Sequence, residues 1–158
     1  MIQSTKKIAR FILDTHLWYP SHAVIITNNF FRRGKASQKS NGEHILAALE
    51  WIKRAQDATG NGGVAGRYLL NRGWTHAYPE TSGHLVSTLI KAGHFFNIAE
   101  YMERAEKIVD FLLSVQLENG AHQGGEYVSG RTQTPAIFNT GQIMLGLIAW
   151  FHETEDRA

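Results

Sequence analysis

The chain has 158 residues, of which 43% are apolar and 19% charged, and its formal net charge is +2. These values predict one globular domain with a hydrophobic core, and the slight charge gives no support to a nucleic-acid partner. The absence of cysteine excludes disulfides, thiolate nucleophiles and cysteine-ligated zinc. No apolar run approaches the roughly 20 residues that span a bilayer. The start of the chain lacks the apolar segment of a signal peptide, so the sequence predicts a cytoplasmic protein.

Residues 1–42 are expected to form an N-terminal helix followed by an irregular segment. A helix is predicted near residues 5–15, because apolar side chains recur there at helical spacing. Ala23 to Thr27 has the composition of a strand, but no partner strand is evident. The basic, polar stretch from Arg32 to Gly42 is interpreted as a solvated connection rather than a phosphate site.

Residues 43–158 are more regular and alternate between two kinds of helix. Amphipathic helices are predicted near residues 43–56 and 98–116, where apolar residues occupy one face. Nearly all-apolar helices are predicted near residues 82–95 and 140–153. A helix that is apolar on all sides has to be covered on all sides, so these two are expected to lie inside.

The two helix pairs are copies of one unit. Trp51-Ile52-x3-Gln56-x3-Gly60 matches Phe111-Leu112-x3-Gln116-x3-Gly120 at a spacing of 60 residues, and Ser82-Gly83-His84 matches Thr140-Gly141-Gln142 at a spacing of 58. Each unit is an amphipathic outer helix, a glycine-rich loop and an apolar inner helix, which is the pattern of a repeat protein. The economical arrangement is a double ring of helix hairpins, in which the inner helices all start at one mouth.

These residues also carry a family resemblance. Its motifs are the two copies of aromatic-aliphatic-x3-Gln-x3-Gly together with Gly62-Gly63-Val64, Gly73-Trp74, Tyr78-Pro79-Glu80-Thr81-Ser82-Gly83, Gln123-Gly124-Gly125 and Phe138-Asn139-Thr140-Gly141-Gln142. The repeat is similar to that of the terpenoid-cyclase and protein-prenyltransferase α/α toroids, although the tryptophan of that repeat is absent. Residues 43–155 resemble more closely a bacterial group with squalene-cyclase-like repeats, found among polysaccharide-biosynthesis functions.

The resemblance implies an all-α fold of α/α toroid-type helix hairpins, here two repeats plus an N-terminal helix. Six hairpins would need far more than 158 residues, so the chain is expected to form half a ring, or part of a longer protein. A half ring exposes apolar flanks, and such patches mark interaction surfaces. The sequence therefore predicts a homodimer, or a chain that is stable only with its continuation.

The chemistry of the better-known toroid enzymes is not supported by these residues. The Asp-x-Asp-Asp motif with which squalene-type cyclases protonate their substrate is absent, and no cysteine is present for a prenyltransferase zinc site. The histidines show no ligand spacing, so neither a metal nor a cofactor is expected. A terpenoid cyclase-like activity is therefore the least favoured of the functions considered.

The candidate catalytic residues lie at the predicted mouth. Tyr78, Glu80 and His84 surround the start of the first inner helix, which Thr81 or Ser82 is expected to cap. Glu80 and His84 are one turn apart, and a carboxylate that orients an imidazole suits general acid–base catalysis. Other interpretations stay open, since Glu80 would also complement the helix dipole. Tyr78 is as well explained as a packed aromatic, and His84 as a half-buried histidine.

The candidate substrate-binding residues come from both repeats. Asn139 and Gln142 begin the second inner helix, and their amides would hold sugar hydroxyls because they do not titrate. Trp74 offers a flat face for a sugar ring, although packing between hairpins explains it equally well. His122 and Gln123 lie in the second glycine-rich loop and are expected to face the same mouth.

Two classes of function remain at this point. The first is an enzyme acting on a carbohydrate or lipid-linked sugar, as an epimerase, lyase or hydrolase. The second is a noncatalytic module that binds a glycan or a protein partner. A single carboxylate in the predicted mouth favours binding slightly over hydrolysis, because glycosidases usually use two.

Overall fold

The computed structural model of the chain describes residues 2–14, 19–31, 39–70 and 72–155. In these ranges the fold is mostly helical, with one short antiparallel strand pair, which confirms the all-α expectation. The elements are α1 (Ile2–Asp14), α2 (Pro20–Phe31), α3 (Asn41–Asp57), β1 (Tyr68–Leu69), β2 (Gly73–Trp74), α4 (Pro79–Phe96), α5 (Glu100–Ser114) and α6 (Ile137–Glu155). None of the helices so described is both long and apolar enough to cross a membrane.

The segment that resembles a strand in isolation belongs to a helix. Ala23 to Thr27 lies inside α2, which starts with Pro20 at its first position, where the fixed φ of proline is favourable. A lone strand would leave its backbone groups unpaired, whereas a helix satisfies them internally. His22 in α2 is buried, and its Nε2 lies 3.2 Å from the Tyr68 hydroxyl. Residues 32–38, which form most of the predicted basic connection, lie outside the described residues.

Helix α4 starts at Pro79, three residues before the start near residue 82 that a hydroxyl cap predicted. Pro79 is the first helical residue, and Tyr78 takes the cap position without a side-chain hydrogen bond. Neither Thr81 nor Ser82 is the cap, which corrects the expectation from sequence. The Ser82 hydroxyl instead accepts a hydrogen bond from the Val64 amide at 2.9 Å and donates to the Tyr78 carbonyl at 2.9 Å. It therefore joins the glycine-rich loop to the inner helix.

The same hydroxyl bridge occurs in the second repeat, at a spacing of 58 residues. The Thr140 hydroxyl accepts from the His122 amide at 2.9 Å and donates to the carbonyl four residues earlier at 2.9 Å. The backbone pairing beside it is also repeated, since Gly66 N donates to His76 O and Gly124 N donates to Thr134 O, both at 3.1 Å. These matching bonds confirm the internal repeat.

The inner helices α4 and α6 run parallel. Gly83 near the start of α4 contacts Ile143 and Gly146 near the start of α6. At the other end, His94 Nε2 lies 3.0 Å from a carboxylate oxygen of Glu153. Both inner helices therefore start at the same end of the molecule, as the repeat predicts. Closure of such hairpins into a ring stays a prediction.

The outer helices α3 and α5 are also parallel and are joined by polar contacts. Lys53 lies 2.9 Å from Glu100, and Asp57 lies 2.8 Å from Arg104. The Gln56 side chain donates to the Arg104 carbonyl at 3.0 Å. The hydrogen bond from the Arg104 guanidinium holds the pKa of the Asp57 carboxyl below its ordinary value. These contacts fix the register of the two outer helices.

The core lies between the two layers. Its fully buried apolar residues include Leu49 of α3, Val86 and Leu89 of α4, Ala105, Ile108 and Leu112 of α5, and Ile143 of α6. The face of α5 predicted to point inward is therefore confirmed. In α3 only part of the predicted apolar face is covered, since Ile45, Leu46 and Trp51 are exposed by 36% or more.

Candidate functional site

The expected contact between Glu80 and His84 is present in the first turns of α4. The Glu80 Oε1 atom lies 3.1 Å from His84 Nε2, and their side chains are 18% and 48% exposed. Glu80 is thus held at the positive end of the helix, while one face of the imidazole stays open to solvent. This geometry lets the carboxylate orient the imidazole, and it lets the imidazole exchange a proton with a bound molecule.

Asn139 and Gln142 lie on the side of α6 that faces α4. Asn139 is one turn before Ile143, and Gln142 is one turn before Gly146, the two residues that contact Gly83. Glu80 is one turn before Gly83, on the facing side of α4. By the helix period, all three polar residues lie where the two inner helices begin. The Asn139 Oδ1 atom lies 3.9 Å from the point where Gly124 would carry a Cβ, so this amide also borders the second glycine-rich loop. Asn139 is buried and Gln142 is half-buried.

Tyr78 packs against a glycine of the first glycine-rich loop. Its Cβ and Cδ2 atoms lie 3.3 Å from the point where Gly66 would carry a Cβ. A carboxylate oxygen of Glu126 lies 3.6 Å from the same point, so Glu126 is a neighbour of Tyr78. Glu126 also accepts from the exposed Arg67, which lies 3.1 Å away. A second acidic side chain therefore stands beside the candidate site.

Sequence reasoning missed Glu126, and the chain offers little to reveal it. The equivalent position of the first repeat is Tyr68, so the repeat does not mark position 126 as acidic. The one sequence feature that points to Glu126 as a site residue is its position directly after the pair Gly124-Gly125 in a polar loop. The position of Glu126 near Tyr78 depends on how the loop of one repeat folds over the loop of the other.

His122 and Gln123 lie in the interior rather than at an open mouth. His122 is 1% exposed and its Nε2 donates to the Leu112 carbonyl at 3.1 Å. Its Nδ1 is buried and has no hydrogen-bond partner within the part of the chain that the structure describes. Gln123 is 5% exposed and its amide donates to the Glu126 carbonyl at 2.9 Å. Both residues support the loop that carries Glu126.

The Trp74 ring is engaged in packing, which was the alternative to a sugar-stacking role. Its centroid lies 4.6 Å from that of Trp51 and 5.1 Å from that of Tyr68. The strand pair β1–β2 brings Trp74 beside Tyr68, and α3 supplies Trp51. These aromatic contacts hold the β-hairpin against the outer helix. A ligand-binding role for Trp74 stays a prediction.

A hollow of 570 Å³ lies at the opposite end of the inner helices. It is lined by residues that include His94, Met102, Glu103, Glu106 and Trp150. Its own acid–base contact is that between His94 and Glu153, at the C-terminal, negative ends of α4 and α6. The N-terminal end is the stronger candidate, because the positive ends of α4 and α6 are adjacent there and carry Glu80 on one helix and two amides on the other.

Neither a metal site nor a known relative provides an independent assignment. Within the described ranges no group of three histidine or acidic side chains is placed to hold a metal ion. Comparison with protein-family models, with curated proteins and with solved structures finds no match to this chain. The candidate site therefore depends on its own geometry.

Proposed function

We propose that the chain binds a carbohydrate or lipid-linked sugar at the N-terminal end of α4 and α6, and acts on it by proton transfer. The observation that carries this proposal is the 3.1 Å contact between Glu80 and His84 at an accessible helix start. His84 would carry the proton and Glu80 would orient it, with Tyr78 beside them. Asn139 and Gln142 would hold sugar hydroxyls through their amides.

The setting of this activity is part of the same proposal. We assign the two hairpins to an α/α toroid-type array of a bacterial polysaccharide-biosynthesis system, located in the cytoplasm. The support is the resemblance of the motifs in residues 43–155, together with the parallel inner helices and the repeated hydroxyl bridges. Epimerase, lyase and hydrolase chemistry all use such acid–base groups. Glu126 beside Tyr78 favours the last, since glycoside hydrolysis usually needs two carboxyl groups.

A noncatalytic glycan-binding module is the second candidate. The observation in its favour is that Asn139 and Gln142 lie at the start of α6, on a different helix from the Glu80–His84 pair. Amides donate and accept hydrogen bonds without changing charge, so they would hold a sugar whether or not it reacts. The two candidate functions predict different effects on sugar turnover when the Glu80 carboxylate is removed.

The test uses two matched substitutions, Glu80→Gln and Glu153→Gln. Each removes the carboxylate of one glutamate–histidine contact on the inner helices, at opposite ends of the molecule. The variants, with Asn139→Ala, are first checked for folding by circular dichroism. Binding is then measured by saturation-transfer NMR against hexose, hexosamine and hexuronate oligosaccharides and a polyprenyl-phosphate-linked sugar. Turnover of each bound sugar is followed by mass spectrometry.

For the enzyme, Glu80→Gln should keep binding and lower turnover by about 10²- to 10⁴-fold, the usual contribution of general acid–base catalysis. Asn139→Ala should weaken binding, and Glu153→Gln should change neither quantity. For the binding module, no sugar is turned over and only Asn139→Ala weakens binding. Loss of function in Glu153→Gln alone would move the site to the hollow at the other end. Failure of every sugar to bind, or unfolding of Glu80→Gln, would refute the assignment.

A further inference from the structure

Equivalent apolar residues of the two inner helices differ sharply in exposure. Val86 and Ile90 of α4 are 0% and 7% exposed. At a spacing of 58 residues, Met144 and Ile148 of α6 are 53% and 48% exposed. The first pair is covered because α5 and α6 pack on α4. The second repeat keeps large apolar side chains at these positions, although nothing in the described chain covers them.

The glycines of the two repeats show the same difference. A Cβ on Gly83 would lie 2.8 Å from the Ile143 Cα, so this glycine allows α6 to approach α4 closely. Gly141 is its equivalent in α6, and among the described residues no atom outside the local backbone of α6 lies within 4 Å of the position of its Cβ. A glycine inside an exposed helix costs about 1 kcal/mol relative to alanine. Gly141 therefore destabilises α6 slightly, although no described helix packs closely against it.

The outer helix supplies the other wall of this surface. A groove of 400 Å³ between α5 and α6 has an almost wholly apolar lining, which consists of Val109, Leu113, Leu147, Ile148, Trp150, Phe151 and Thr154. Leu113 and Leu117 occupy the repeat positions of Lys53 and Asp57, which bind charged residues of α5. A helix that packed on α5 in the same way would meet leucines instead of charges.

We infer that this surface, formed by Gly141, Met144, Ile148, Leu113 and Phe151 and called here the α6 face, binds a helix hairpin of the same repeat type. The inner helix of that hairpin would run parallel to α6 and carry glycine opposite Gly141. Its outer helix would be apolar where α5 carries Glu100 and Arg104. In repeat proteins each unit is stabilised mainly by the interface with its neighbour, so this binding would extend the existing array.

The first hairpin of a second copy of this chain does not meet these requirements. In the internal interface, a Cβ on Gly146 would lie 3.0 Å from the carbonyl carbon of Gly83 and closer still to its oxygen. The residue of α4 equivalent to Gly146 is Thr88, which has a branched side chain. A second copy placed head to tail would therefore collide with Gly141 at the spacing seen between α4 and α6. The partner is a different hairpin.

The test adds such a hairpin to the full chain. Residues 97–155 are repeated once after Thr154, which preserves the spacing of 58, and the added copy carries Glu100→Leu and Arg104→Leu. Urea unfolding of this extended chain is compared with that of the parent by circular dichroism. Each chain is also made with Gly141→Leu in its original α6. Among the described residues, no atom outside the local backbone of α6 lies within 4 Å of the Cβ position of Gly141, so the parent with this substitution is the matched control for stability.

The extended chain should unfold in one transition, at a higher urea midpoint and with an m value larger by roughly a third, in proportion to its added surface. Gly141→Leu should abolish that gain while leaving the parent midpoint unchanged or raised. A second, separate transition, an extended chain that fails to fold, or a gain that survives Gly141→Leu would overturn the inference. The inference would also be overturned if the parent chain sedimented as a dimer and Gly141→Leu made it a monomer, because the α6 face would then bind a second copy.

Discussion

The close approach of the two inner helices at Gly83 and Gly146 can be tested with a single methyl group. In Gly146→Ala the new Cβ would lie 3.0 Å from the carbonyl carbon of Gly83, which is short of the roughly 3.5 Å at which carbon atoms pack best. The carbonyl oxygen of Gly83 would lie closer still to the new Cβ. The Cβ is fixed to the backbone of α6 and the carbonyl belongs to the backbone of α4, so relief requires the two helices to separate by about one ångström. Overpacking of this kind typically costs about 1–3 kcal/mol.

A control on the same helix isolates this packing cost. Alanine is favoured over glycine in a helix by about 1 kcal/mol, so part of the cost in Gly146→Ala is offset. Gly141→Ala gains the same preference, and its Cβ has no described atom from outside the local backbone of α6 within 4 Å. The free energies of unfolding of the two variants should therefore differ by about 1–3 kcal/mol, with Gly141→Ala the more stable.

The assay is urea unfolding monitored by circular dichroism at 222 nm, with the same m value required for both variants so that the free energies are comparable. Hydrogen exchange of the amides at the start of α4 should also quicken in Gly146→Ala and not in Gly141→Ala, because loss of helix contact exposes them. Equal stability of the two variants would refute the close approach of α4 and α6, and with it the register of the inner helices.

Two further predictions concern the outer helices. In urea unfolding, Gln56→Ala should be more destabilising than Gln116→Ala by about 1 kcal/mol. The Gln56 amide donates to the carbonyls of Gly62 and Arg104, whereas the Gln116 amide donates only to that of Gly120. Equal losses of stability would contradict the contact between α3 and α5. Arg104 lowers the pKa of Asp57 from its ordinary 3.8, so the pair stabilises the fold above that pH and the benefit is lost as pH falls below it. Because Asp57 is exposed, the loss should not exceed about 1 kcal/mol. Asp57→Asn should make the free energy of unfolding less dependent on pH below about 4, where the benefit is lost. An unchanged slope would show that the pair contributes nothing.

The sequence alone determined which segments repeat and which way the inner helices point. Helical spacing of apolar residues and the matched motifs around Gln56 and Gln116 depend only on local chemistry, so the hairpins were predictable to within a few residues. The proline at position 79 and the Glu80–His84 spacing are also local, and the contact between those side chains follows from one helical turn. Local signals misled at Ala23 to Thr27, where β-branched residues suggested a strand.

Only the tertiary structure decided which side chains are covered. His122 and Gln123 were expected at a mouth, but their side chains are buried and donate hydrogen bonds to backbone carbonyls. Nothing in their neighbours along the chain indicates that orientation. Glu126 and Tyr78 both lie beside Gly66 because two loops separated by about 60 residues fold over each other there. Val86 and Met144 occupy the same repeat position, yet one is buried and the other exposed. The burial of a residue depends on which element packs against it, whereas an apolar pattern in the sequence indicates only that a face is suited to being packed against.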